Sequence, residues 1–351
     1  MTTERPAGGG AARAVRMITW LGWLGFVALV AAWFAIDVLG DRAWWTVALL
    51  FGPRWFIALA WLAFVPWLIV APRRALLPAL GGLAIAYFAI IGFHLPIRRA
   101  SATEGVPFRV LELNAGGTRG PQHIPQILAE IAAEHPDLAV FAECAPLLAQ
   151  AIGTVAGYQF KSKGDFCMLA RGEVLEWEPR DQMEAWRKGG SGAIVRAVVA
   201  TPAGPLRVGL VHLATPRNAL DNYFDISVLA RQGPVTRANI AMREDESRAA
   251  QEWIFVGPAR PTVVVGDFNL VAESAVYRRH WGALRNAFGR AGFGTGYTKH
   301  TRFWGVRIDH VLMSSEIGAS GSFVGHDVGS DHLPLIADLV LPARRPPSSA
   351  Q

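Results

Sequence analysis

The chain has 351 residues, of which 52% are hydrophobic and 18% are charged, and its mean hydropathy is +0.26. This composition is too apolar for an ordinary soluble enzyme of this length, so part of the chain is predicted to lie in a membrane. The net charge of +6 divides into +4 for residues 1–93 and +2 for residues 94–351. The nearly neutral second part gives little support for a strongly basic nucleic-acid-binding face.

Three apolar segments in the first part are long enough to be transmembrane helices. They cover residues 17–36, 55–71 and 75–93, close to the roughly 20 residues that cross about 30 Å of hydrocarbon. Residues 1–16 are predicted to be a disordered cytoplasmic tail. A cleaved signal peptide is a competing interpretation of the first segment, but the further apolar segments disfavour it. Residues 43–51 are either an interfacial piece or the start of a longer, tilted second span.

The arginines indicate which way the spans run. Arg5, Arg13 and Arg16 precede the first span, and Arg73 and Arg74 lie between the second and the third. Because cytoplasmic loops are enriched in Lys and Arg, the rest of the chain is predicted to follow the third span on the outer side. Arginines on the opposite side keep this bias modest. The prediction is a multi-pass protein of the inner (plasma) membrane with a periplasmic or extracellular domain.

After a linker at residues 94–107, the pattern changes to short apolar runs separated by Gly, Pro and Asp. These runs predict a catalytic domain over residues 108–341 with strands at 108–113, 138–142, 166–170, 193–200, 206–213, 262–266, 306–313 and 335–339. Apolar residues at helical spacing predict a helix over 124–132, and residues 239–255 are predicted to be helical. Residues 342–351 are predicted to be a disordered tail.

Polar residues stand where the predicted strands end or begin. Val263–Val265 form a β-branched run that leads into Gly266, Asp267, Phe268 and Asn269. A strand followed by a simple Asx turn would explain that segment alone. However, the pattern recurs, and the residues that share it are Asn114, Glu143, His212, Asp267, Asn269, Asp309, Asp331 and His332. A fold that gathers these strand ends would form one cleft suited to a divalent cation and a phosphate ester.

The residue types fit that chemistry. Mg²⁺ prefers oxygen ligands and keeps several waters, so one or two carboxylates are enough to bind it, and Glu143 is the leading candidate. Asn114 and Asn269 can hydrogen-bond water, a ligand carboxylate or phosphate without adding negative charge. His212 can donate a hydrogen bond to phosphoryl oxygens as charge grows on them. His332, held by a carboxylate, could accept a proton from the attacking water.

The motifs resemble those of the endonuclease/exonuclease/phosphatase superfamily, which has the deoxyribonuclease I-like fold. The matching segments, in order, are Leu111-Glu112-Leu113-Asn114, Ala142-Glu143, Val211-His212-Leu213, Gly266-Asp267-Phe268-Asn269, Arg307-Ile308-Asp309-His310-Val311-Leu312 and Gly329-Ser330-Asp331-His332-Leu333-Pro334. The resemblance covers about residues 108–340 and implies a four-layer α-β-β-α sandwich. Membrane-tethered bacterial members of this family have a similar layout.

The resemblance also implies roles. Glu143 would bind the metal with Asn114 beside it, and Asp331 would lie near the metal. Asp267 would orient or activate the attacking water, and Asn269 would hold phosphate. His332 would be the catalytic histidine paired with Asp309, and His212 would stabilise the transition state. Ala142 replaces the Gln that many members carry before the metal-binding Glu.

The expected cofactor is Mg²⁺, with Mn²⁺ as a possible substitute, and the lipid bilayer is the expected partner of the three spans. The substrate class stays open among nucleic acid, phospholipid and inositol phosphate, for either a phosphodiester or a phosphomonoester. Two other hypotheses are a non-catalytic binding module of the same fold and a structural membrane protein. Cys144 and Cys167 are compatible with a disulfide outside the cytoplasm or with buried free thiols.

Overall fold

The structure is a computed structural model that describes residues 8–101, 105–116, 121–220, 229–301 and 303–343. The chain divides into two compact units, Met1–Phe93 and His94–Gln351. The boundary falls where the sequence predicts the third span to end.

The first unit is helical. Its α-helices are α1 (Gly8–Trp33), α2 (Val47–Phe51), α3 (Arg54–Ala58), α4 (Phe64–Val70) and α5 (Pro72–Ala84). Helix α1 continues as a π-helix over Phe34–Leu39, and α5 continues as a π-helix over Ile85–Ile90. Short 3₁₀-helices lie at Gly40–Arg42, Trp44–Thr46 and Leu59–Ala63. Helix α1 begins at Gly8, inside the segment that the sequence predicts to be a disordered tail. Ala11, Ala12 and Ala14 explain the difference, because alanine has the highest intrinsic helix propensity.

Among the described residues, two helices are long and apolar enough to cross a membrane. They are Gly10–Arg42, with 33 residues and a mean hydropathy of 2.0, and Pro72–Ile90, with 19 residues and a mean hydropathy of 1.3. Trp44–Phe51 and Arg54–Val70 meet the same criterion only as a pair, and they are bent by 91° at the break. Gly52 and Pro53 lie at that break, where the helical hydrogen-bond pattern is interrupted. By length and composition, the described residues therefore contain two candidate spans, or three if the bent pair is one span.

The second unit contains two six-stranded mixed sheets and a two-stranded hairpin. Its strands are β1 (Gly105–Asn114), β2 (Leu138–Ala142), β3 (Gln159–Lys163), β4 (Phe166–Ala170), β5 (Val174–Pro179), β6 (Ala193–Thr201), β7 (Gly204–His212), β8 (Thr262–Asp267), β9 (Arg285–Asn286), β10 (Lys299–His300), β11 (Gly305–Val306), β12 (Asp309–Met313), β13 (Gly318–Val324) and β14 (Leu335–Pro342). One sheet has the order β13-β14-β1-β2-β4-β3, the other has the order β5-β6-β7-β8-β12-β9, and β10 pairs with β11. These sheets confirm the predicted α/β class.

Helices connect the parallel strands and flank the sheets. They are α6 (Ile124–Glu134), α7 (Pro146–Ile152), α8 (Met183–Arg187), α9 (Arg217–Leu220), α10 (Leu229–Ile254), α11 (Ala275–Trp281) and α12 (Ala287–Ala291). The pairs β1–β2 and β7–β8 are parallel, and the remaining pairs of both large sheets are antiparallel. Helix α6 lies in the first parallel connection and α10 in the second, as expected for crossover connections.

The side-chain alternation along the strands builds three apolar layers. Phe108 and Val110 of β1 pack between the sheets with Val208 of β7 and Val265 of β8. The opposite face of the first sheet packs against α6 and α7, through Leu111, Leu113, Ile127, Ile131, Leu148 and Ile152. The opposite face of the second sheet packs against α10 and α11, through Val264, Leu312, Ala250, Ile254, Val276 and Trp281. Each buried aliphatic side chain stabilises the fold by roughly 1.5 to 3 kcal/mol, and the layer order is helix, sheet, sheet, helix.

Several elements differ from the sequence predictions. Strand β1 starts at Gly105, and the preceding segment is held on the unit by a bridge between His94 and Gly294, so part of the predicted linker is ordered. Strands β3, β5, β9, β10 and β13 were not predicted from the sequence. Strand β3 has the sequence Gln-Phe-Lys-Ser-Lys and lies at the edge of its sheet. Edge strands often carry polar residues, so β3 lacks the run of apolar residues that predicts a strand. The predicted tail at residues 342–351 lies largely outside the described residues.

Candidate active site

The strand register brings the polar residues to one rim of the sandwich. In the second sheet, His212 is opposite Asp267 in the parallel pair β7–β8, and Asp309 is opposite Asp267 in the antiparallel pair β8–β12. In the first sheet, Asn114 at the end of β1 is opposite Ala142, the residue before Glu143. Central strand β8 therefore delivers Asp267 to the middle of the group.

Asn114 links the two sheets at this rim. Its Nδ2 donates to Asp267 Oδ2 at 3.0 Å and to Glu143 Oε1 at 3.2 Å. Its Oδ1 accepts from the backbone N–H of Gly116 at 2.8 Å. Because both ends of the carboxamide are engaged, Asn114 fixes the position of the two carboxylates relative to each other.

Asp267 and Asn269 form a tight turn directly after β8. The Asn269 backbone N–H donates to Asp267 Oδ1 at 2.8 Å, and the Asn269 side chain donates to Leu213 O at 2.8 Å. Asn269 has a φ of 49°, and Glu143 has the same value. Such left-handed conformations cost on the order of 1 kcal/mol for non-glycine residues and are retained where the surroundings demand them. Both residues were predicted site residues.

His332 and Asp309 form a buried pair. His332 Nδ1 lies 2.8 Å from Asp309 Oδ2 and 3.1 Å from Oδ1. Burial, the largest single effect, lowers the pKa of His332, but the charge and hydrogen bond of Asp309 outweigh it and the pKa is raised. The pKa of Asp309 is lowered, because His332 overcomes the effect of burial on that carboxyl. The predicted pairing of these two residues is present in the structure.

A second pair joins His212 to Asp165. His212 Nδ1 lies 2.5 Å from Asp165 Oδ2. Burial lowers the pKa of His212, but Asp165, Asp267 and Glu143 together raise it to about 9. Asp165 was not among the predicted site residues. It follows Gly164 in the turn before β4, and Gly and Asp are common turn residues, so the local sequence indicated only a turn. Asp165 lies in the turn between β3 and β4 of one sheet and His212 ends β7 of the other, so only the packing of the two sheets reveals their pairing.

Both histidines face the same oxygen. His212 Nε2 and His332 Nε2 each lie 3.8 Å from Asp267 Oδ2. His212 Nε2 also lies 3.8 Å from Glu143 Oε1. Burial is the main reason why the pKa of Asp267 rises to about 6, and Asp309 raises it further while the two histidines lower it. The rim thus places two imidazoles around one buried carboxylate.

The donor set at the rim suits a hard divalent cation. The side chain of Glu143 is 46% exposed, so its carboxylate is accessible. A Cβ atom at Gly116 would lie 2.2 Å from Glu143 Oε2, so the glycine permits this close approach of backbone and carboxylate. One ligand atom from each of Asp267, Asp309 and His332 also lies within 4.8 Å of the other two. Oxygen-rich donor sets favour Mg²⁺ or Mn²⁺ over Zn²⁺.

The loop that carries His332 is anchored by Ser330. The Ser330 hydroxyl lies 2.8 Å from Asn114 O and 2.7 Å from Gly116 O, and it accepts from the His332 backbone N–H at 3.1 Å. Asp331, between these two residues, is exposed and forms an ion pair with Lys299 of β10. The role of Asp331 near the metal stays a prediction.

A disulfide lies next to Glu143. Cys144 is bonded to Cys167 of β4, and the Cys144 backbone N–H donates to Asp165 O at 3.1 Å. The sequence left the state of these cysteines open. In the structure the bond connects the loop of Glu143 to the strand that follows Asp165, so one covalent link joins two parts of the rim.

The fold and the rim define a class of protein in which a two-sheet sandwich presents carboxylates, carboxamides and Asp–His pairs at one edge. The sequence matches the Endonuclease/Exonuclease/phosphatase family over residues 110–332. This match covers more than half of the chain, and the protein belongs to that family. Its members are typically metal-dependent phosphoesterases.

Solved structures show the same fold. Humanized TDP2 of D. rerio, with 14 mutations, has a TM-score of 0.52 at 17% identity over 68% of this chain and 99% of that chain. D. rerio TDP2 complexed with single-strand DNA product has a TM-score of 0.51 at 17% identity over 67% and 99%. An endonuclease/exonuclease/phosphatase of Beutenbergia cavernae DSM 12333 has a TM-score of 0.49 at 20% identity over 67% and 72%. At 17% identity, the likeness to the two TDP2 structures concerns the fold alone. A comparison with curated proteins found no match.

Proposed function

We propose that the protein is a membrane-anchored, Mg²⁺-dependent phosphoesterase that hydrolyses a phosphodiester or phosphomonoester by in-line attack of water. The observation that carries this proposal is the pair of histidines around Asp267, because His212 Nε2 and His332 Nε2 both lie 3.8 Å from Asp267 Oδ2. That separation is too long for a direct hydrogen bond, and a water or phosphate oxygen beside it would fit at about 2.8 Å from Asp267 Oδ2 and from either Nε2.

Each residue at the rim has a separate role in the proposed hydrolysis. Asp267 orients the attacking water, and His332, held by Asp309, exchanges a proton with the reacting oxygens. His212, held by Asp165, has a pKa of about 9 and is therefore protonated at neutral pH, when it can donate to a phosphoryl oxygen that gains charge. Asn269 holds phosphate and sits in a turn that its own backbone and side chain stabilise.

Glu143 would hold the divalent cation, with Asn114 beside it. When bound, the cation would neutralise phosphate charge and polarise the phosphoryl group. Asn114 keeps Glu143 in place from the β1 side through its Nδ2, and Gly116 leaves room for the Glu143 carboxylate. The Glu143 side chain is partly exposed, so a phosphate ester can approach its carboxylate from solvent.

The substrate class is open among nucleic acid, phospholipid and inositol phosphate. The similarity of the fold to a TDP2 complexed with single-strand DNA product supports nucleic acid as one candidate. Residues 94–351 carry a net charge of only +2, whereas a nonspecific nuclease needs a basic surface for nucleic acid, so the charge argues weakly against that class. The apolar helices of the first unit favour a substrate at or near a bilayer.

The proposed location is the inner membrane, with the catalytic unit on the outer side. The Cys144–Cys167 disulfide supports this orientation, because disulfides persist in oxidising compartments and are rare in the cytosol. The distribution of arginines around the apolar segments supports the same orientation. Three spans remain part of the proposal, with the bent pair Trp44–Phe51 and Arg54–Val70 as the second.

The test is hydrolysis by the full-length chain in lipid nanodiscs. Substrates would include bis-p-nitrophenyl phosphate, DNA, RNA, phospholipids and inositol phosphates, each with Mg²⁺ and with EDTA. Metal-dependent turnover concentrated on one class would support the proposal and name the substrate type. A folded protein that hydrolyses none of them would favour the non-catalytic binding module.

A further inference from the structure

Three neighbouring segments of the catalytic unit lie side by side where the chain enters it. A bridge joins His94 to Gly294 in antiparallel orientation, and a second bridge joins Gly292 to Ser322 in parallel orientation. The first bridge is closed by backbone hydrogen bonds of 2.8 and 3.1 Å between its two residues. Neighbouring extended segments lie about 4.8 Å apart, so the residues next to these bridges are close together.

The register places three apolar residues abreast. In an antiparallel bridge, the residue after one partner is opposite the residue before the other, so Leu95 is opposite Phe293. In a parallel bridge, the two residues that follow the partners are opposite each other, so Phe293 is opposite Phe323. All three residues are exposed, and Phe293 keeps 65% of its accessible surface. An apolar surface therefore extends across the three segments.

The residues on the inner side of the bridges support this direction. The rings of His94 and Phe288 have centroids 5.8 Å apart, and a Cβ atom at Gly292 would lie 2.6 Å from the Phe288 ring. Phe288 belongs to the apolar layer between the two sheets, so His94 and Gly292 face the interior. Because side chains alternate along an extended segment, the apolar residues at the next positions face outward.

Ile97 and two arginines continue the first of these segments. Ile97 is 79% exposed, and Arg98 and Arg99 are exposed as well. The Arg98 backbone N–H donates to Arg290 O at 3.3 Å, and Arg99 Nε donates to Ala291 O at 3.3 Å. These hydrogen bonds hold the segment on the catalytic unit, so positive charge borders the apolar surface.

We propose that the catalytic unit binds a lipid bilayer through one docking surface. This docking surface consists of Leu95, Ile97, Phe293 and Phe323, with Arg98 and Arg99 beside them. Exposed apolar patches bordered by polar residues mark interaction sites. On a bilayer, the apolar side chains would enter the boundary between head groups and acyl chains, and the arginines would bind anionic head groups.

The course of the chain selects a bilayer as the occupant. The candidate span Pro72–Ile90 ends five residues before Leu95, and five residues reach at most about 17 Å. The docking surface therefore begins within that reach of the end of an apolar helix. Arginines next to exposed apolar side chains also match the chemistry of a membrane surface that contains anionic lipids.

The docking surface is connected to the rim through Arg307. Arg307 Nη2 lies 3.4 Å from His94 Nε2, and its guanidinium carbon lies 4.7 Å from the centre of the Phe288 ring. Asp309 of the rim follows Arg307 by two residues. Docking would therefore hold the rim near the bilayer surface, where a substrate carried by a lipid is easier to reach than a soluble one. This consequence rests on the proposed function, whereas the docking itself does not.

The test is photocrosslinking of the full-length chain in nanodiscs of phosphatidylcholine and phosphatidylglycerol. Phe293, Phe323 and Trp186 are replaced, one at a time, by p-benzoylphenylalanine, and mass spectrometry identifies what each position crosslinks. Trp186 is the matched control, because it is an aromatic residue of nearly the same exposure, 67%. It lies on α8 after β5, which packs beside β3 at the edge of the sandwich away from β13. Positions 293 and 323 should form lipid adducts, and position 186 should form none.

Two further variants test the chemistry of the surface, each with the crosslinker at position 293. Arg98→Gln should lower the lipid adduct about threefold or more in nanodiscs that contain phosphatidylglycerol and leave it unchanged in phosphatidylcholine alone. Arg187→Gln, at an exposed arginine of α8, is the control and should change neither. Leu95→Ser should lower the adduct in both lipid compositions, because it removes apolar surface rather than charge. An Arg98→Gln adduct equal to that of Arg187→Gln in both compositions would overturn the role of the arginine.

A folded protein without lipid adducts at positions 293 and 323, or with equal adducts at position 186, would overturn the docking surface. Adducts with protein instead of lipid, whether within the chain or with a second copy, would overturn it too, because they would assign the surface to a protein contact. Failure of the proposed function is distinct. A chain that forms the lipid adducts but hydrolyses nothing would refute the phosphoesterase and leave the docking surface standing, and hydrolysis without lipid adducts would do the reverse.

Discussion

His332 Nε2 lies 3.8 Å from Asp267 Oδ2, and this distance defines the centre of the candidate site. It exceeds the range of a direct hydrogen bond, yet one oxygen atom beside the line that joins the two groups would lie at about 2.8 Å from both. His212 Nε2 is also 3.8 Å from the same oxygen. The arrangement therefore points three ionisable groups at one small volume, which is where a reacting oxygen would have to lie.

Removal of either partner should abolish most activity. We expect His332→Ala and Asp267→Ala each to lower kcat at least about a hundredfold, as losses of general acid–base groups do. The measurement is hydrolysis of the preferred substrate, with folding checked by circular dichroism. His326→Ala is the control, since that imidazole is 83% exposed and pairs with Glu130 rather than with the rim. Activity of the first two variants within a few-fold of wild type would remove them from the mechanism.

Asp165 should control the protonation of His212. Burial lowers the pKa of His212, and the hydrogen bond of Asp165 is the first of the effects that raise it to about 9. Asp165→Asn should therefore lower the pKa, which NMR of ¹³C-labelled histidine rings would measure. Wild-type activity should fall as pH rises through about 9, and the fall should occur at lower pH in the variant. An unchanged ring pKa would contradict the assignment.

The same pair makes stability depend on pH. Since the pKa of His212 is higher in the folded protein than its usual 6.5, the stabilisation is fully present below about 6.5 and is lost as pH rises through about 9. Thermal unfolding of wild type should show this decline, and Asp165→Asn should show a smaller one. A decline of the same size in both proteins would mean that another group is responsible.

The Cys144–Cys167 disulfide should support both stability and metal binding. It closes a sequence separation of 23 residues, for which the chain-entropy relation gives about 3 kcal/mol. Replacing both cysteines by serine should lower the free energy of unfolding by that order. It should weaken Mn²⁺ binding about tenfold or more, because Glu143 loses an adjacent constraint. A reductant should affect wild type in the same way and leave the double variant unchanged, whereas equal binding by both proteins would argue against this role.

The orientation of the catalytic unit can be tested with reporters. A reporter active only outside the cytoplasm, fused after Gln351, should be active, and a reporter active only inside should be silent. The reasons are the disulfide and the arginines between the apolar segments. The opposite pattern would place the catalytic unit in the cytoplasm.

The sequence predicted the central strands and their polar ends well, because each of these elements has a local pattern. Strands β2 and β4 have the predicted bounds. Seven of the predicted site residues lie at the rim, namely Asn114, Glu143, His212, Asp267, Asn269, Asp309 and His332. The buried β-branched run before Asp267 is an example, since its apolar pattern and the following Gly266 lie within a few residues. For these elements, local sequence was sufficient.

What the sequence missed depends on contacts between distant segments. The sequence around Asp165 indicates only a turn. Its contact with His212 is visible only when β4 is packed opposite β7. Asp331 is a second example, because its ion-pair partner Lys299 lies 32 residues earlier and no local pattern connects the two. The start of α1 at Gly8 shows that helix propensity can override the composition expected of a tail.

The central claim is that the rim is a metal-dependent phosphoesterase site, and the most direct measurement is turnover of bis-p-nitrophenyl phosphate by the full-length chain in nanodiscs. We predict no turnover in EDTA, restoration by excess Mg²⁺ or Mn²⁺, and strongly reduced restoration in Glu143→Gln. Turnover that persists in EDTA, or that Glu143→Gln recovers as fully as wild type does, would contradict the account.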